Sequence, residues 1–233
     1  MARKGLIRDR IWTRLEADEI ARFPFPPHGR ITNFEGSSEA AERAMDLPEI
    51  SEANAVKANP DAPQLPLRRR LLKNGTTVYM AVPRLAEETC FVELDPEAIS
   101  DLNAAPTISQ MSTYGTRVRP EALPEIDAIV VGSVAVTENG ARIGKGEGYS
   151  DLEYAILREL GLVDGDTPVV TTVHDIQLID DDVVPDSYDV PVDVICTPTK
   201  TVRTNAGEKP TGIEWSELTD TQRAEIPILG SLR

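Results

Sequence analysis

Basic residues are scarce in this chain: 24 Lys plus Arg stand against 39 Asp plus Glu, a formal net charge of −15. Phosphate backbones are held by cations, so a general-purpose DNA or RNA binder is excluded. No apolar stretch approaches the roughly 20 residues that cross a bilayer. The charged start over residues 1–10 also lacks the apolar run of a signal peptide. A soluble, cytoplasmic protein that touches neither membrane nor nucleic acid is expected. Only two cysteines occur, Cys90 and Cys196, and their spacing matches neither a disulfide framework nor a zinc motif. Both are expected to stay reduced. No internal repeat of useful length is present, so solenoids and propellers drop out.

Hydrophobic residues make up 40% of the 233, enough for one sizeable core, and residues 1–233 are read as a single domain. The acid excess is spread along the whole chain instead of being gathered in a tail. That distribution fits a cytoplasm of high salt, where screening tames self-repulsion, and so a halophilic source.

Ile7, Ile11 and Leu15 recur at four-residue spacing beside a stripe of Lys4, Arg8 and Trp12, which predicts an amphipathic helix over residues 4–16. Trp12 and Trp215 read as packing residues, because large aromatics dominate buried area. The proline-rich run 23–29 breaks regular structure. Short helices are predicted over 38–45 and 67–73, the second carrying Arg68, Arg69 and Arg70 and stopped by Asn74-Gly75. In an acidic protein that basic run reads as a solvated face making ion pairs. Apolar runs at 76–83, 126–136, 168–173 and 192–197 predict buried strands, with a helix over 152–160 between them. Strands alternating with helices imply an α/β architecture: an open, mostly parallel sheet with helices on both faces, in three layers. Residues 88–124 read as an irregular excursion over the sheet, and 217–226 as one more helix.

The chemistry concentrates in one passage. Gly144, Gly146 and Gly148 alternate directly after a predicted strand and before a predicted helix. Alternating glycines let the backbone curl its N–H groups around an anion, and the helix start adds its positive dipole end. Arg142 and Lys145 bring two cations to the same loop, which suits a polyphosphate. Neither the eight-residue P-loop pattern nor G-x-G-x-x-G is matched. The plainer alternative is a turn whose Ser150 and Glu153 form a capping box. Asp151 is either a helix-start acid stabilised by the dipole or a ligand of a hard divalent cation. His174-Asp175, at the end of a predicted strand, reads as a structural hydrogen-bonded pair.

Asn139-Gly-Ala-Arg-Ile-Gly-Lys-Gly-Glu-Gly-Tyr-Ser-Asp151 resembles the signature turn of the 5-formyltetrahydrofolate cyclo-ligase (methenyltetrahydrofolate synthetase) family, departing only at Ser150, where the family has a second tyrosine. Lys4 and Arg8 resemble the family's N-terminal phosphate-gripping pair, Pro83-Arg84 a strand-end motif, and Asp189-Val-Pro-Val-Asp193 a C-terminal element. Arg30-Ile-Thr-Asn-Phe34, Val56-Lys57, the run 130–136 and Val173-His-Asp175 resemble the subgroup of methenyltetrahydrofolate synthetase domain-containing proteins. With the acid excess, this points to a member of the subgroup from a halophilic archaeon.

The resemblance implies a sheet of the NagB/RpiA/CoA transferase-like type and a monomeric enzyme. It implies ATP- and Mg²⁺-dependent cyclisation of 5-formyltetrahydrofolate to 5,10-methenyltetrahydrofolate, with release of ADP and phosphate, in one-carbon folate metabolism. Lys145 and Tyr149 would be catalytic. Lys4, Arg8, Arg142, Ile143, Gly144, Lys145, Gly146, Glu147, Gly148, Tyr149 and Ser150 would hold ATP. Glu35, Glu39 and Tyr149 would meet the folate, and Asp151 and Asp189 the Mg²⁺. Ala40 stands where family members carry a pocket acid, which leaves open a ligase for another, thiamine-related heterocycle. Ser150 leaves open a non-catalytic nucleotide- or folate-binding regulator.

Overall fold

The computed structural model describes residues 2–232. Its strands are β1 (Ala21–Arg22), β2 (Asn33–Phe34), β3 (Ala55–Ala58), β4 (Thr77–Ala81), β5 (Phe91–Leu94), β6 (Thr116–Val118), β7 (Ala128–Val131), β8 (Ala135–Val136), β9 (Arg142–Ile143), β10 (Val169–Thr172), β11 (Val194–Cys196) and β12 (Thr201–Arg203). Eight of them form one sheet in the order β12-β11-β10-β7-β3-β4-β5-β6. The central run from β11 to β4 is parallel, and β12, β5 and β6 add antiparallel edges. The expected mostly parallel α/β sheet is therefore the one the chain forms.

The crossovers position the site. From β3 the chain passes through the helix Leu65–Lys73 to β4 on one side, and from β7 through the helix Tyr149–Glu159 to β10 on the other. Right-handed crossovers that leave in opposite directions put their helices on opposite faces. They also open a crevice where the directions diverge, at the carboxyl ends of β3 and β7.

The N-terminal helix Ala2–Ala17 buries the predicted stripe of Ile7, Ile11 and Leu15 in a second, smaller cluster with Ala135 and Ile143 of the β8–β9 hairpin. Each such side chain contributes about 1.5–3 kcal/mol on burial. Trp12 joins them, its indole N–H donating to the Arg30 carbonyl at 3.0 Å. Trp215 is half-buried against the main core. The helix predicted over 217–226 is Asp220–Glu225, started by a capping box between Thr219 and Gln222.

Four expectations need correction. The run 126–136 is not one strand: β7 ends at Val131, and β8 resumes at Ala135 in another sheet. Gly132 makes the break, since a Cβ there would lie 2.7 Å from Asp61 Oδ2 and 3.0 Å from Ile31 Cγ2. Residues 88–124 are more than an excursion, because β5 and β6 extend the sheet edge through them. Strand β3 was not foreseen, since a lysine interrupts its apolar pattern, yet it sits between β7 and β4. Finally, Arg68 is not on a solvated face but is 1% exposed.

Cys90 and Cys196 are both free and buried, and burial pushes their thiols up to about 12. A thiol-specific reagent at neutral pH is expected to label neither cysteine in the folded protein and both after denaturation, because only the thiolate reacts. Mass spectrometry checks this directly, and labelling under native conditions would contradict the packing.

Candidate functional site

A cavity of 520 Å³ opens at the carboxyl ends of β3 and β7, within the usual size of small-molecule sites. One wall is the glycine loop from Ile143 to Gly148. A second is the N-terminal helix, through Lys4 and Arg8, and a third is the segment Asn59-Pro60-Asp61 that follows β3. Asp186, Tyr188 and Asp189 close the rim. Every residue expected to hold nucleotide or metal lines this one cavity: Lys4, Arg8, Arg142, Ile143, Gly144, Lys145, Gly146, Glu147, Gly148, Tyr149, Ser150, Asp151 and Asp189.

The loop's backbone explains its glycines. Gly146 has φ 105° and Gly148 φ 72°, left-handed conformations that side chains disfavour. Gly148 is the N-cap of the helix Tyr149–Glu159, with no side chain capping it. The alternative capping box is therefore overturned. Ser150 Oγ accepts from Asn59 Nδ2 at 3.0 Å, and Glu153 is drawn away to a buried ion pair with Lys57. The uncapped first turn carries the positive end of the helix dipole at the cavity wall.

The cations are held in different ways. Arg8 donates from Nε to the Gly144 carbonyl at 2.6 Å, tying the N-terminal helix to the loop. Burial lowers its pKa. Lys4 bridges Asp186 at 2.7 Å and Asp189 at 2.5 Å. Burial opposes its charge, but bonds to these two carboxylates outweigh that and raise its pKa. Arg142 is buried, giving Nη1 to the Gly132 carbonyl at 3.1 Å and Nη2 to Asp151, while its Nε has no partner among the described residues. Burial works against its charge too, and Asp151 overcomes it, so its pKa is raised. Lys145 is the most open of the four, 38% exposed at the side chain and paired at 2.8 Å with its neighbour Glu147.

Two carboxylates expected to meet Mg²⁺ face the same space. Asp151 takes Arg142 and the Val190 N–H (3.0 Å) on Oδ1, and Asp189 takes Lys4 and the Asp186 N–H (2.8 Å) on Oδ2. The second oxygen of each makes none of these bonds. Among the described residues no group of three or more His, Cys, Asp or Glu could hold a metal alone. Two carboxylates that each keep an oxygen suit Mg²⁺, which takes the rest of its octahedron from water and phosphate.

Glu35 and Glu39 are not brought to the cavity. Glu35 is exposed and paired with Arg22 at 2.7 Å, and Glu39 is exposed in the first turn of the helix Ser37–Met45. Among the acids that do line the cavity is Asp61, which the sequence reading passed over. Its signal was its place at the end of a strand. Burial raises its pKa, against the pull of Lys145, Arg68 and Lys57. The expected His174-Asp175 hydrogen bond is not formed: His174 Nδ1 accepts from the Ile176 N–H at 3.3 Å, while Asp175 accepts from Thr197 at 2.6 Å.

The model of the 5-formyltetrahydrofolate cyclo-ligase family matches residues 1–198. A bovine methenyltetrahydrofolate synthase domain-containing protein is 42% identical over 232 residues, covering 97% of this chain and 61% of the relative. Its human counterpart is 40% identical, covering 97% and 60%. The chain thus spans about three fifths of the length of the curated relatives it matches. The solution structure of Aquifex aeolicus 5,10-methenyltetrahydrofolate synthetase superposes with a TM-score of 0.55 at 22% identity, covering 88% of this chain and 94% of that one, which marks a shared fold. The match runs from the N-terminal helix past the last parallel strand and takes in every wall of the cavity, and on that ground this chain belongs to the 5-formyltetrahydrofolate cyclo-ligase family.

Proposed function

We propose that this chain is a single-domain, monomeric, cytoplasmic enzyme that cyclises 5-formyltetrahydrofolate to 5,10-methenyltetrahydrofolate, consuming ATP with Mg²⁺ and releasing ADP and phosphate. The observation that carries the reading is the convergence of Lys4, Arg8, Arg142 and Lys145 on a glycine cradle at an uncapped helix start, in one cavity with Asp61.

An amide oxygen is a poor leaving group, so the formyl oxygen must first be phosphorylated. That oxygen attacks the γ-phosphorus as the bond to the ADP oxygen breaks. The neighbouring folate nitrogen then closes on the formyl carbon and gives up its proton, and phosphate departs with the former formyl oxygen. Phosphoryl transfer of this kind asks for alignment and charge neutralisation more than for a protein nucleophile. Lys145 would meet the transferring phosphoryl group, and Lys4 and Arg8 would hold the remaining phosphates. Tyr149 and Asp61 both line the cavity; Tyr149 would border the pterin, and Asp61 would offer its carboxyl group to the pterin's N–H donors. Asp151 and Asp189 would hold Mg²⁺, which neutralises phosphate charge when bound.

The test is a paired assay in molar KCl with MgATP and 5-formyltetrahydrofolate, following ADP and the methenyl chromophore together. Stoichiometric formation of both supports the reading. ADP release only with a non-folate heterocycle would replace it with the thiamine-related ligase, and ATP protection against melting without ADP release would replace it with the regulator.

The proposal of a high-salt, archaeal setting has its own readout. With a net charge of −15, screening relieves self-repulsion in the compact state. The thermal midpoint is expected to climb as KCl is raised from low concentration to molar, and a midpoint indifferent to salt would count against that setting.

A further inference from the structure

Arg68 has no place in the chemistry described so far, and its surroundings are unusual. Its guanidinium, buried beneath the cavity, donates to four carbonyls: Asn59 at 2.5 Å, Asp61 at 2.9 Å, Pro60 at 3.1 Å and Pro106 at 3.0 Å. Among the described residues no carboxylate takes a hydrogen bond from it. A buried charge without a bonded counter-ion is costly, and a hydrophobic side chain of similar volume would fill the space without that cost. Packing therefore does not call for an arginine here. Three of its four acceptors are consecutive, and they belong to the segment that carries Asp61 into the cavity.

Asp61 itself makes no side-chain hydrogen bond among the described residues, so its neighbours hold it through backbone, space and charge. Gly132 leaves the room its Oδ2 occupies. The charges that face it come from every adjoining element: Lys145 of the glycine loop, Arg68 of the helix Leu65–Lys73, Lys57 of β3 and, with opposite effect, Glu153 of the helix Tyr149–Glu159. Burial pushes the Arg68 guanidinium down to about 9, which leaves it charged at neutral pH.

We propose that Arg68 is the positioning residue of Asp61: by clamping the carbonyls of residues 59–61 from beneath it fixes where the carboxyl enters the cavity, and its nearby charge favours the ionised form of that carboxyl over the neutral one. The proposal deepens the reading of the cavity as the folate site and rests on it, but its electrostatic half can be measured without substrate.

The experiment compares Arg68→Met and Arg68→Lys, each with and without Asp61→Asn. The first readout is unfolding stability against pH. A carboxyl whose folded pKa lies above its unfolded value contributes stability at low pH, and that stability is lost as pH rises through the folded pKa. Arg68→Met raises the folded pKa further, so the falling limb extends to higher pH than in the wild type. In the Asp61→Asn background Arg68→Met is expected to leave the pH dependence below neutrality unmoved. The second readout is steady-state kinetics. Arg68→Lys keeps the charge but cannot hold three carbonyls, so KM for 5-formyltetrahydrofolate rises roughly tenfold or more while kcat falls much less. Should Arg68→Met fail to fold, Arg68→Lys with its double variant decides. A limb that shifts equally with and without Asp61, or an Arg68→Lys enzyme with wild-type KM, overturns the proposal. A wild type that turns over no folate but shows the Asp61-dependent limb overturns the cyclo-ligase reading and supports the clamp.

Discussion

Lys57→Met is expected to lower the unfolding free energy by about 3 kcal/mol or more, and Lys57→Met combined with Glu153→Leu to recover most of that loss. Lys57 lies at the centre of β3, 1% exposed, with its ammonium on Glu153 and on Asn59 Oδ1 at 2.5 Å. Removing the lysine strands a carboxylate in a site built to be dry on one side. Removing both partners takes away the burial cost of each. The loss falls toward the lower end of that range because Glu153 also lines the cavity, where water can reach it. Denaturant midpoints for the two single variants and the double variant measure the coupling. A single variant as stable as the double would show that the pair is not energetically joined.

The same pair shows where sequence reading stops. Local patterns were legible: the stripe of Ile7, Ile11 and Leu15, the stop at Asn74-Gly75 and the alternating glycines each announce their structure within a few residues. Lys57 was not, because its partner is Glu153, far along the chain on a crossover helix, and only their meeting allows a lysine inside a central strand. Arg68 misled for a similar reason. Three consecutive arginines look solvated, and nothing local shows that the first will be clamped under the carbonyls of another segment while Arg69 and Arg70 stay near the surface. Glu35 and Glu39 were assigned to the folate from the family resemblance, and both follow closely on Phe34. The chain there closes the small β1–β2 ladder and turns into the helix Ser37–Met45, which carries them away from the cavity that Asp61 enters. In each case the missing information is a contact between elements distant in sequence.

Lys145→Ala and Asp151→Asn are both expected to abolish most turnover, yet they should differ in everything else. The Lys145 ammonium is partly exposed and its partner is a near neighbour, so the fold does not depend on it and the thermal midpoint should stay at the wild-type value. On the proposed reaction, loss of one cation facing the phosphoryl group would lower kcat by about 10²–10³-fold, with KM for 5-formyltetrahydrofolate little changed. Asp151 answers a buried guanidinium and the Val190 N–H at the same time. Its amide replacement leaves the Arg142 charge uncompensated in a site where Nε already lacks a partner, a loss of about 3–5 kcal/mol for a broken buried pair. Asp151→Asn should therefore melt earlier and lose the link that holds the cradle to the 185–190 rim, while Lys145→Ala melts like the wild type and fails only in turnover. Differential scanning calorimetry and initial rates on the same preparations separate the two. An Asp151→Asn protein with unchanged melting would mean that the Arg142 charge is answered from elsewhere, Asp189 being the next acid whose charge supports it.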